Sequence, residues 1–337
     1  MERIPEVTHV NKTALAPLFI LFVLLVSAVG AASAADDAAP VKIVLDKAHG
    51  TAHEGELEGL PAKLEAWGYT VVVVEDAITS SALAGAKILL VPVPMGADFT
   101  DAERAAIVAW FDAGDVAIWV AGDSDFDGPE YIPYLNTLLE ELGSSIFFEN
   151  ASVEEPGEAY NDGSAYRVVA SAWNSAHPIA EGVSKETFHG PTFIYAEKSG
   201  SPVNLATTSV SNVSWIAKSS DESVVVSPWL SPLMTPGIET GSKGPFVLMA
   251  VQENAGKDSS SKIVLTVEAT FSAYKNMNMD GPSEKAIHDI QGETLLKNTL
   301  AWMEAESEGS SNTMLYAGIA VVVIVLIAAA AFTMRKK

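Results

Sequence analysis

The chain has 337 residues, no cysteine and a formal net charge of −23, from 43 acidic and 20 basic residues. A surface this acidic repels phosphate backbones, so the composition argues against a nucleic acid partner. The missing thiol excludes disulfides, thiolate metal sites and cysteine nucleophiles.

The first element in chain order is an apolar run that follows Lys12 and ends at Ala32, Ser33 and Ala34. A small-residue site of the A-x-A type behind an apolar stretch is typical of a cleavable secretory signal, so residues 1–34 are predicted to be a signal peptide. The run is also long enough to span a bilayer, which leaves an uncleaved signal anchor as the alternative.

The next part of the chain alternates short apolar strands with amphipathic helices. Strands are predicted at residues 41–46, 70–76, 86–94 and 116–122, and helices at residues 55–68, 100–114 and 131–143. Thr100 and Glu103 have the spacing of a capping box at the start of the second helix. Continuous apolar strands that alternate with helices predict a parallel sheet covered on both faces.

After Ser144 the pattern becomes richer in β-strands and less regular. Further strands are predicted at residues 166–171, 192–196, 212–217, 223–228, 245–253 and 262–269. A last helix is predicted at residues 292–306, folding back onto the sheet. No internal repeat and no boundary is found between residues 35 and 305, so this segment is predicted to be one domain.

The end of the chain carries a second apolar run. Residues 313–334 contain no charged side chain, which is long enough for one transmembrane helix, and residues 306–312 before it form a polar linker. The basic residues 335–337 follow at once and predict a cytoplasmic tail. The expected location is therefore the cell membrane, crossed once, with the domain at residues 35–305 outside the cytoplasm.

Several segments together resemble a known fold family. These are KIVLDKAHG, WGYTVVVVED, AKILLVPVP, TDAERAAIVAWFDAGDVAIWVAGDSDF, AHPIAEGV, GPFVLMAVQE, KIVLTVEATF and TLLKNTLAWM. They are similar to the class I glutamine amidotransferase-like fold, and more narrowly to extracytoplasmic domains of gliding-motility-type membrane proteins linked to ABC transport. The resemblance covers roughly residues 41 to 303.

The resemblance implies an α/β fold class: a parallel-sheet, flavodoxin-like domain with β-rich insertions, here followed by the C-terminal transmembrane helix. It also implies a transporter or another membrane protein as partner. In the catalytic members of the family a cysteine lies on the turn after the strand that VAIWVAG matches. Here residues 122–125 read Gly-Asp-Ser-Asp, so glutaminase activity is not supported.

An acidic loop follows the strand at residues 116–122. Asp123, Asp125 and Asp127 alternate and are followed by Gly128, which matches the first half of a calcium-binding loop. The bidentate glutamate expected at the twelfth position is Tyr134 instead. The match is therefore partial. The three aspartates make the loop a candidate Ca²⁺ site, and a solvated acidic turn is the alternative.

Other chemistry-bearing residues follow the first strand. His49, His53 and Glu54 lie in that loop, and in a parallel sheet the loop would open onto the same crevice as Asp123. The sequence predicts a ligand crevice there that also includes Ser124, with a purely structural role as the alternative. Phe126 replaces the second glycine of a nucleophile elbow, which argues against Ser124 as a nucleophile.

The irregular middle region contains two more histidines and two glycosylation sequons. His177 and His189 precede Pro and Gly-Pro, so loop geometry accounts for them. Asn150 and Asn212 begin N-x-S sequons and are predicted glycan acceptors in an extracytoplasmic domain.

The function expected from these observations is non-catalytic binding or scaffolding by a membrane-anchored extracytoplasmic domain, accessory to an ABC transport system. Two alternatives stay open at this point. One is an extracytoplasmic hydrolase that uses the crevice between His49 and Asp123. The other is an acidic structural component of the cell envelope.

Overall fold

The computed structural model describes residues 39–51, 53–124, 131–226 and 233–306. From residue 41 onward the described residues belong to one compact unit. In chain order their strands are β1 (Lys42–Asp46), β2 (Thr70–Val74), β3 (Ile88–Val91), β4 (Ala117–Ala121), β5 (Ile146–Phe148), β6 (Ser152–Glu154), β7 (Arg167–Ala170), β8 (Ala172–Trp173), β9 (Glu186–His189), β10 (Ile194–Lys198), β11 (Ser201–Val203), β12 (Val213–Lys218), β13 (Val224–Val226), β14 (Val247–Ala255), β15 (Ser261–Thr266), β16 (Asp280–Pro282) and β17 (Asp289–Gln291).

The helices cover this strand framework. In chain order they are α1 (Glu54–Leu57), α2 (Leu60–Ala66), α3 (Ser80–Leu83), α4 (Asp101–Asp112), α5 (Tyr131–Glu141) and α6 (Gly292–Glu304). The single helix predicted at residues 55–68 is divided into α1 and α2. Pro61 has no amide hydrogen to continue the hydrogen bonds of α1, and Gly59 is the N-cap of α2. The predicted capping box of Thr100 and Glu103 is confirmed at the start of α4.

The central sheet has eight strands in the spatial order β2-β1-β3-β4-β15-β14-β12-β8. The first five are parallel neighbours, from the β2–β1 pair to the β4–β15 pair. From β15 onward each new neighbour is antiparallel: β14, then β12, then β8. The sheet is therefore mixed, because a parallel block is extended by an antiparallel one.

The predicted fold class is thus wrong in its sheet, since the structure has a mixed eight-stranded sheet rather than a parallel one. The physical reason is that β14 and β15 are consecutive strands joined by a short turn, which forces them to be antiparallel. Smaller antiparallel sheets surround the main one: β5 with β10 and β11, β6 with β13, β7 with β9, and β16 with β17.

The core lies on both faces of the parallel block. Ile43, Val44 and Leu45 of β1 are fully buried, as are all residues of β3 and β4. Trp119 of β4 is among the largest fully buried side chains, and its indole N–H donates to Thr266 of β15. The core strands are continuously apolar because helices cover both of their faces.

The membrane prediction must also be corrected. Within the ranges that the structure describes, no helix is long and apolar enough to cross a bilayer. The predicted signal peptide at residues 1–34 and the predicted transmembrane helix at residues 313–334 lie outside those ranges.

Candidate functional site

The carboxyl ends of four neighbouring parallel strands, β1, β3, β4 and β15, meet at one edge of the sheet. Asp46 is the last residue of β1, Gly122 directly follows β4, and Glu268 comes shortly after β15. Ligands of open α/β sheets bind at this edge. The loops that follow these strands therefore contain the candidate site.

Asp46, His49 and Glu103 form a closed group that we call the paired network. His49 Nδ1 lies 2.8 Å from Asp46 Oδ2, and His49 Nε2 lies 3.3 Å from Glu103 Oε1. The imidazole also packs against the ring of Phe99, with centroids 4.2 Å apart. All three members are buried, so both ring nitrogens of His49 are engaged with carboxylates away from solvent.

Within the paired network, the imidazole of His49 and the carboxylate of Glu103 shift each other's pKa values toward the charged forms. Burial by itself lowers the pKa of His49, but the hydrogen bonds and negative charges of Asp46 and Glu103 outweigh it, and the net pKa is raised. Burial acts to raise the pKa of Glu103, yet its hydrogen bonds from Thr100 and from the Ile78 amide, with the charge of His49, lower it. The network thus ties the loop after β1 to the start of α4 by charge-assisted hydrogen bonds.

A second group of polar residues, the edge cluster, consists of His53, Asp123, His189, Glu268 and Tyr274. His53 Nε2 lies 3.7 Å from Glu268 Oε1, and the rings of His53 and Tyr274 stack with centroids 3.4 Å apart. The ring of His189 meets that of Tyr274 edge-on at 5.1 Å. These contacts bring together side chains from three parts of the chain: the residue before α1, the end of β9 and the segment after β15.

Local backbone geometry positions the edge cluster. His53 has a left-handed backbone, with φ at 59°, immediately before α1. Gly190, at φ 62°, turns the chain after β9, and its carbonyl accepts a 2.8 Å hydrogen bond from the Ser124 amide. A β-carbon at Gly190 would lie 3.4 Å from Asp123 Oδ1, so the loops after β4 and β9 pass close to each other.

The electrostatics of the edge cluster differ from those of the paired network. Burial, followed by the negative charge of Glu268, raises the pKa of Asp123 well above its ordinary value. Burial, with the charges of Lys275, Arg167 and other neighbours, lowers the pKa of His189 to about 4. His189 is therefore a neutral imidazole near neutral pH, and Asp123 resists ionisation beside a second carboxylate.

The edge cluster and its surroundings contain buried polar atoms that have no hydrogen-bond partner among the described residues. These atoms are Thr51 Oγ1, His53 Nε2, His189 Nδ1, Glu268 Oε2 and Thr270 Oγ1. Buried polar groups in folded proteins are nearly always paired. A concentration of such atoms at one sheet edge therefore points to a binding site.

The structure separates the residues that the sequence placed in one crevice. His53 and Asp123 belong to the edge cluster, whereas His49 belongs to the paired network, where Asp46 and Glu103 engage both of its ring nitrogens. Glu54 is exposed and pairs with Lys47 at 3.7 Å. Ser124 is buried, and its carbonyl accepts a hydrogen bond from the Tyr131 hydroxyl.

The predicted calcium site is only partly within the described chain. Asp123 is in the edge cluster, but Asp125 and Asp127 lie outside the described residues. In the part that is described, no group of three or more histidine or acidic side chains could hold a metal ion. Calcium binding by this loop stays a prediction.

The two predicted glycosylation sites differ in exposure. Asn212 is exposed in a turn, with φ at 59°. Asn150 is half-buried two residues after β5, and its backbone amide donates to the side chain of Glu149. Glycosylation of both residues stays a prediction.

Sequence reasoning missed three members of the edge cluster. Glu268 and Tyr274 lie far along the chain from His53, and His189 was explained by loop geometry alone. One local signal existed, because Glu268 lies within the apolar strand predicted at residues 262–269, where an ionisable side chain is expected to be buried. Nothing in the sequence around Tyr274 indicates its stack on His53.

Comparison with known proteins adds information on the fold. No protein-family model matches the chain, and no curated protein matches it. Among solved structures, the chain is similar to one described as the mmIFT52 N-terminal domain, with a TM-score of 0.53 and 14% sequence identity. The match covers 78% of this chain and 97% of that chain. At this identity the likeness concerns the fold alone, and the amidotransferase-like resemblance stays a prediction.

Proposed function

We propose that residues 39–306 form a non-catalytic binding domain that holds its ligand or partner at the edge cluster. The observation that carries this proposal is the set of buried, unpartnered polar atoms on His53, His189, Glu268 and Thr270. Leaving such atoms unpaired is costly, and a bound group that pairs them recovers that cost. An accessory role beside an ABC transporter, which the family resemblance implies, is one form of such a binding function.

The hydrolase alternative has one observation in its favour, the imidazole of His53 beside the carboxylate of Glu268. Three others argue against it. Both ring nitrogens of His49 are already engaged with Asp46 and Glu103. Ser124 is only 4% exposed. The chain also has no cysteine to act as the nucleophile.

The experiment that tests the proposal uses the full chain and follows the histidine ring resonances by NMR. Acetate, inorganic phosphate, glucose and N-acetyl-arginine amide are added separately, so that anionic, neutral and cationic fragments are all represented. We expect at least one fragment to shift the resonances of His53 and His189. His177 and His288 lie in other contacts and serve as internal controls.

The same samples report on catalysis. Each fragment, together with a model ester and a model amide, is recovered after incubation and analysed for chemical change. Unchanged fragments with shifted His53 and His189 resonances would support the binding proposal. Turnover that disappears in Glu268→Gln would establish the hydrolase instead, and the absence of any shift at these two histidines would contradict the proposed site.

A further inference from the structure

We infer that the edge cluster binds an organic cation, the ammonium or guanidinium group of a small amine or of a lysine or arginine side chain. This inference rests on the proposed function and specifies the chemistry of the ligand. Its basis is the combination of carboxylates, unpartnered acceptor atoms and aromatic faces around Glu268 and Tyr274.

Negatively charged side chains surround Tyr274 in the edge cluster. The pKa of the Tyr274 hydroxyl is raised to about 12. Burial is the largest cause, and the negative charges of four carboxylates add to it: Glu268, Asp123, Glu284 and Glu56. Glu268 is fully buried, so little solvent screens it. A cation is the ligand charge that such a site favours.

Nearby basic residues pair with Glu284 rather than with Asp123 or Glu268. Lys275 pairs with Glu284 at 3.2 Å. Arg167 is shared between Asp162, at 2.9 Å, and the same Glu284. Among the described residues, neither cation forms an ion pair with Asp123 or Glu268, the two acidic side chains of the edge cluster.

The unpartnered polar atoms of the site are hydrogen-bond acceptors. Glu268 Oε1 accepts from the Ala269 amide, whereas Glu268 Oε2 has no partner among the described residues. The buried hydroxyl of Thr270 and Nδ1 of the neutral His189 imidazole are unpartnered there as well. A carboxylate oxygen can only accept, and the other two groups also have lone pairs, so a ligand with several N–H donors fits them.

Aromatic rings line one side of the edge cluster. Tyr274 stacks on His53 and meets His189 edge-on. Lys275 Nζ already lies 4.9 Å from the centroid of the Tyr274 ring. A cation within about 6 Å of a ring centroid is attracted by the ring quadrupole. The Tyr274 ring therefore already attracts one cation of the protein, the Lys275 ammonium.

The test compares two acetylated and amidated tripeptides, Gly-Arg-Gly and Gly-citrulline-Gly, by calorimetric titration of the full chain. Citrulline has nearly the same shape as arginine but no charge. We expect the arginine peptide to bind and the citrulline peptide to bind at least about tenfold more weakly, as for the loss of a charge-assisted hydrogen bond. Ethylguanidinium is titrated in parallel. If ethylguanidinium binds and the arginine peptide does not, the ligand is a small free cation. If both bind, the ligand is the side chain of a peptide or protein.

Variants locate the binding. Glu268→Gln should weaken binding of the cation by about tenfold. Glu186→Gln is the matched control, because Glu186 is equally buried and also has an unpartnered Oε2, but it packs beside Gly292 rather than in the edge cluster. If Glu268→Gln does not fold, Thr270→Val replaces it, because it removes another unpartnered acceptor of the site and should also weaken binding of the cation.

Several results would overturn the inference. They are equal binding of the arginine and citrulline peptides, an equal loss in Glu268→Gln and Glu186→Gln, binding of Ca²⁺ but of no organic cation, or no binding at all. Failure here is distinct from failure of the proposed function. If acetate, phosphate or glucose shifts the resonances of His53 and His189 while neither the arginine peptide nor ethylguanidinium binds, the binding site stands and its cation preference is refuted.

Discussion

The two groups of imidazoles and carboxylates at the sheet edge use the same residue types in opposite ways. In the paired network, both nitrogens of His49 are engaged with Asp46 and Glu103. In the edge cluster, His53 Nε2 lies 3.7 Å from Glu268 Oε1, and neither His53 Nε2 nor Glu268 Oε2 has a hydrogen-bond partner among the described residues. Pairing, rather than residue type, therefore distinguishes the structural network from the proposed binding site.

The difference also appears in the pKa values. The paired network raises the pKa of His49, whereas the edge cluster lowers the pKa of His189 to about 4. The paired network therefore stabilises a charged imidazole, and the edge cluster holds a neutral one. Each of the following predictions measures one consequence of this contrast.

The largest effect is expected for Asp46→Ala. Asp46 is fully buried, and its removal leaves the His49 imidazole without its shortest partner. Breaking a buried charge pair from one side typically costs about 3–5 kcal/mol, so the free energy of unfolding should fall by that amount. Urea denaturation of the full chain measures it.

Asp112→Ala is the control for that change. Asp112 pairs at 2.5 Å with Lys257, whose side chain is 80% exposed. Exposed pairs contribute about 0–1 kcal/mol, so this variant should lose little stability. Similar losses for the two variants would mean that the paired network stabilises the fold no more than a surface ion pair does.

The second effect is a pH dependence of opposite sign in the two regions. The raised pKa of His49 contributes stability that is complete below the ordinary value of 6.5 and is lost as the pH rises through the folded pKa. The lowered pKa of His189 contributes stability above 6.5 that is lost as the pH falls toward about 4. For His189, the shift from 6.5 to about 4 corresponds to a loss of about 3 kcal/mol, at about 1.4 kcal/mol per pKa unit.

Melting temperatures of wild type, His49→Gln and His189→Gln across this range separate the two. The stabilising difference between wild type and His49→Gln should shrink above pH 6.5, and that between wild type and His189→Gln should shrink below it. Parallel profiles for the two variants would contradict the assignment of one charged and one neutral imidazole.

Much of the fold could be predicted from local patterns. The elements between β1 and α5 follow from apolar runs and helical spacing, and the capping box of α4 was read directly from Thr100 and Glu103. The sheet order could not be predicted, because it depends on β15 pairing in parallel with β4 from far along the chain. Lys262 illustrates the limit: it looks like an exposed strand residue, yet it is buried and its ammonium donates to the carbonyls of Trp302 and Ala305 at the end of α6.

The candidate site was predicted in part. His53 and Asp123 were expected at the sheet edge because both follow strands, and the structure brings them into one cluster through Glu268. His49 was expected beside Asp123 but is engaged by Asp46 and Glu103 instead. Sequence spacing cannot distinguish the two histidines, since only the fold determines which carboxylates each one meets.

The third effect is expected for Asp123→Asn. The pKa of Asp123 is raised, so the folded state holds its proton more tightly than the unfolded state does. Wild-type stability therefore falls as the pH rises above the ordinary value of 3.8. Asparagine removes this loss and should raise the free energy of unfolding at neutral pH, with little change near pH 4.

Thermal unfolding at both pH values measures this gain. Glu158→Gln is the control, since Glu158 is exposed and its charge is solvated in both states. A loss of stability in Asp123→Asn at neutral pH would mean that the Asp123 carboxylate is paired in the folded protein, and the edge cluster would then resemble the paired network.

The smallest effect concerns the hydroxyl of Thr270, which is buried and has no partner among the described residues. Thr270→Val keeps the shape and removes the polar atom, so the free protein should gain up to about 1 kcal/mol. Thr299→Val is the matched control, because Thr299 is equally buried and its hydroxyl donates to the Leu295 carbonyl at 2.7 Å; it should lose about 1 kcal/mol. Urea denaturation of both variants, with and without the arginine peptide, tests the contrast. If Thr270 serves the ligand, Thr270→Val stabilises the free protein and weakens the binding of the peptide, whereas destabilisation without any effect on binding would show that this hydroxyl is structural.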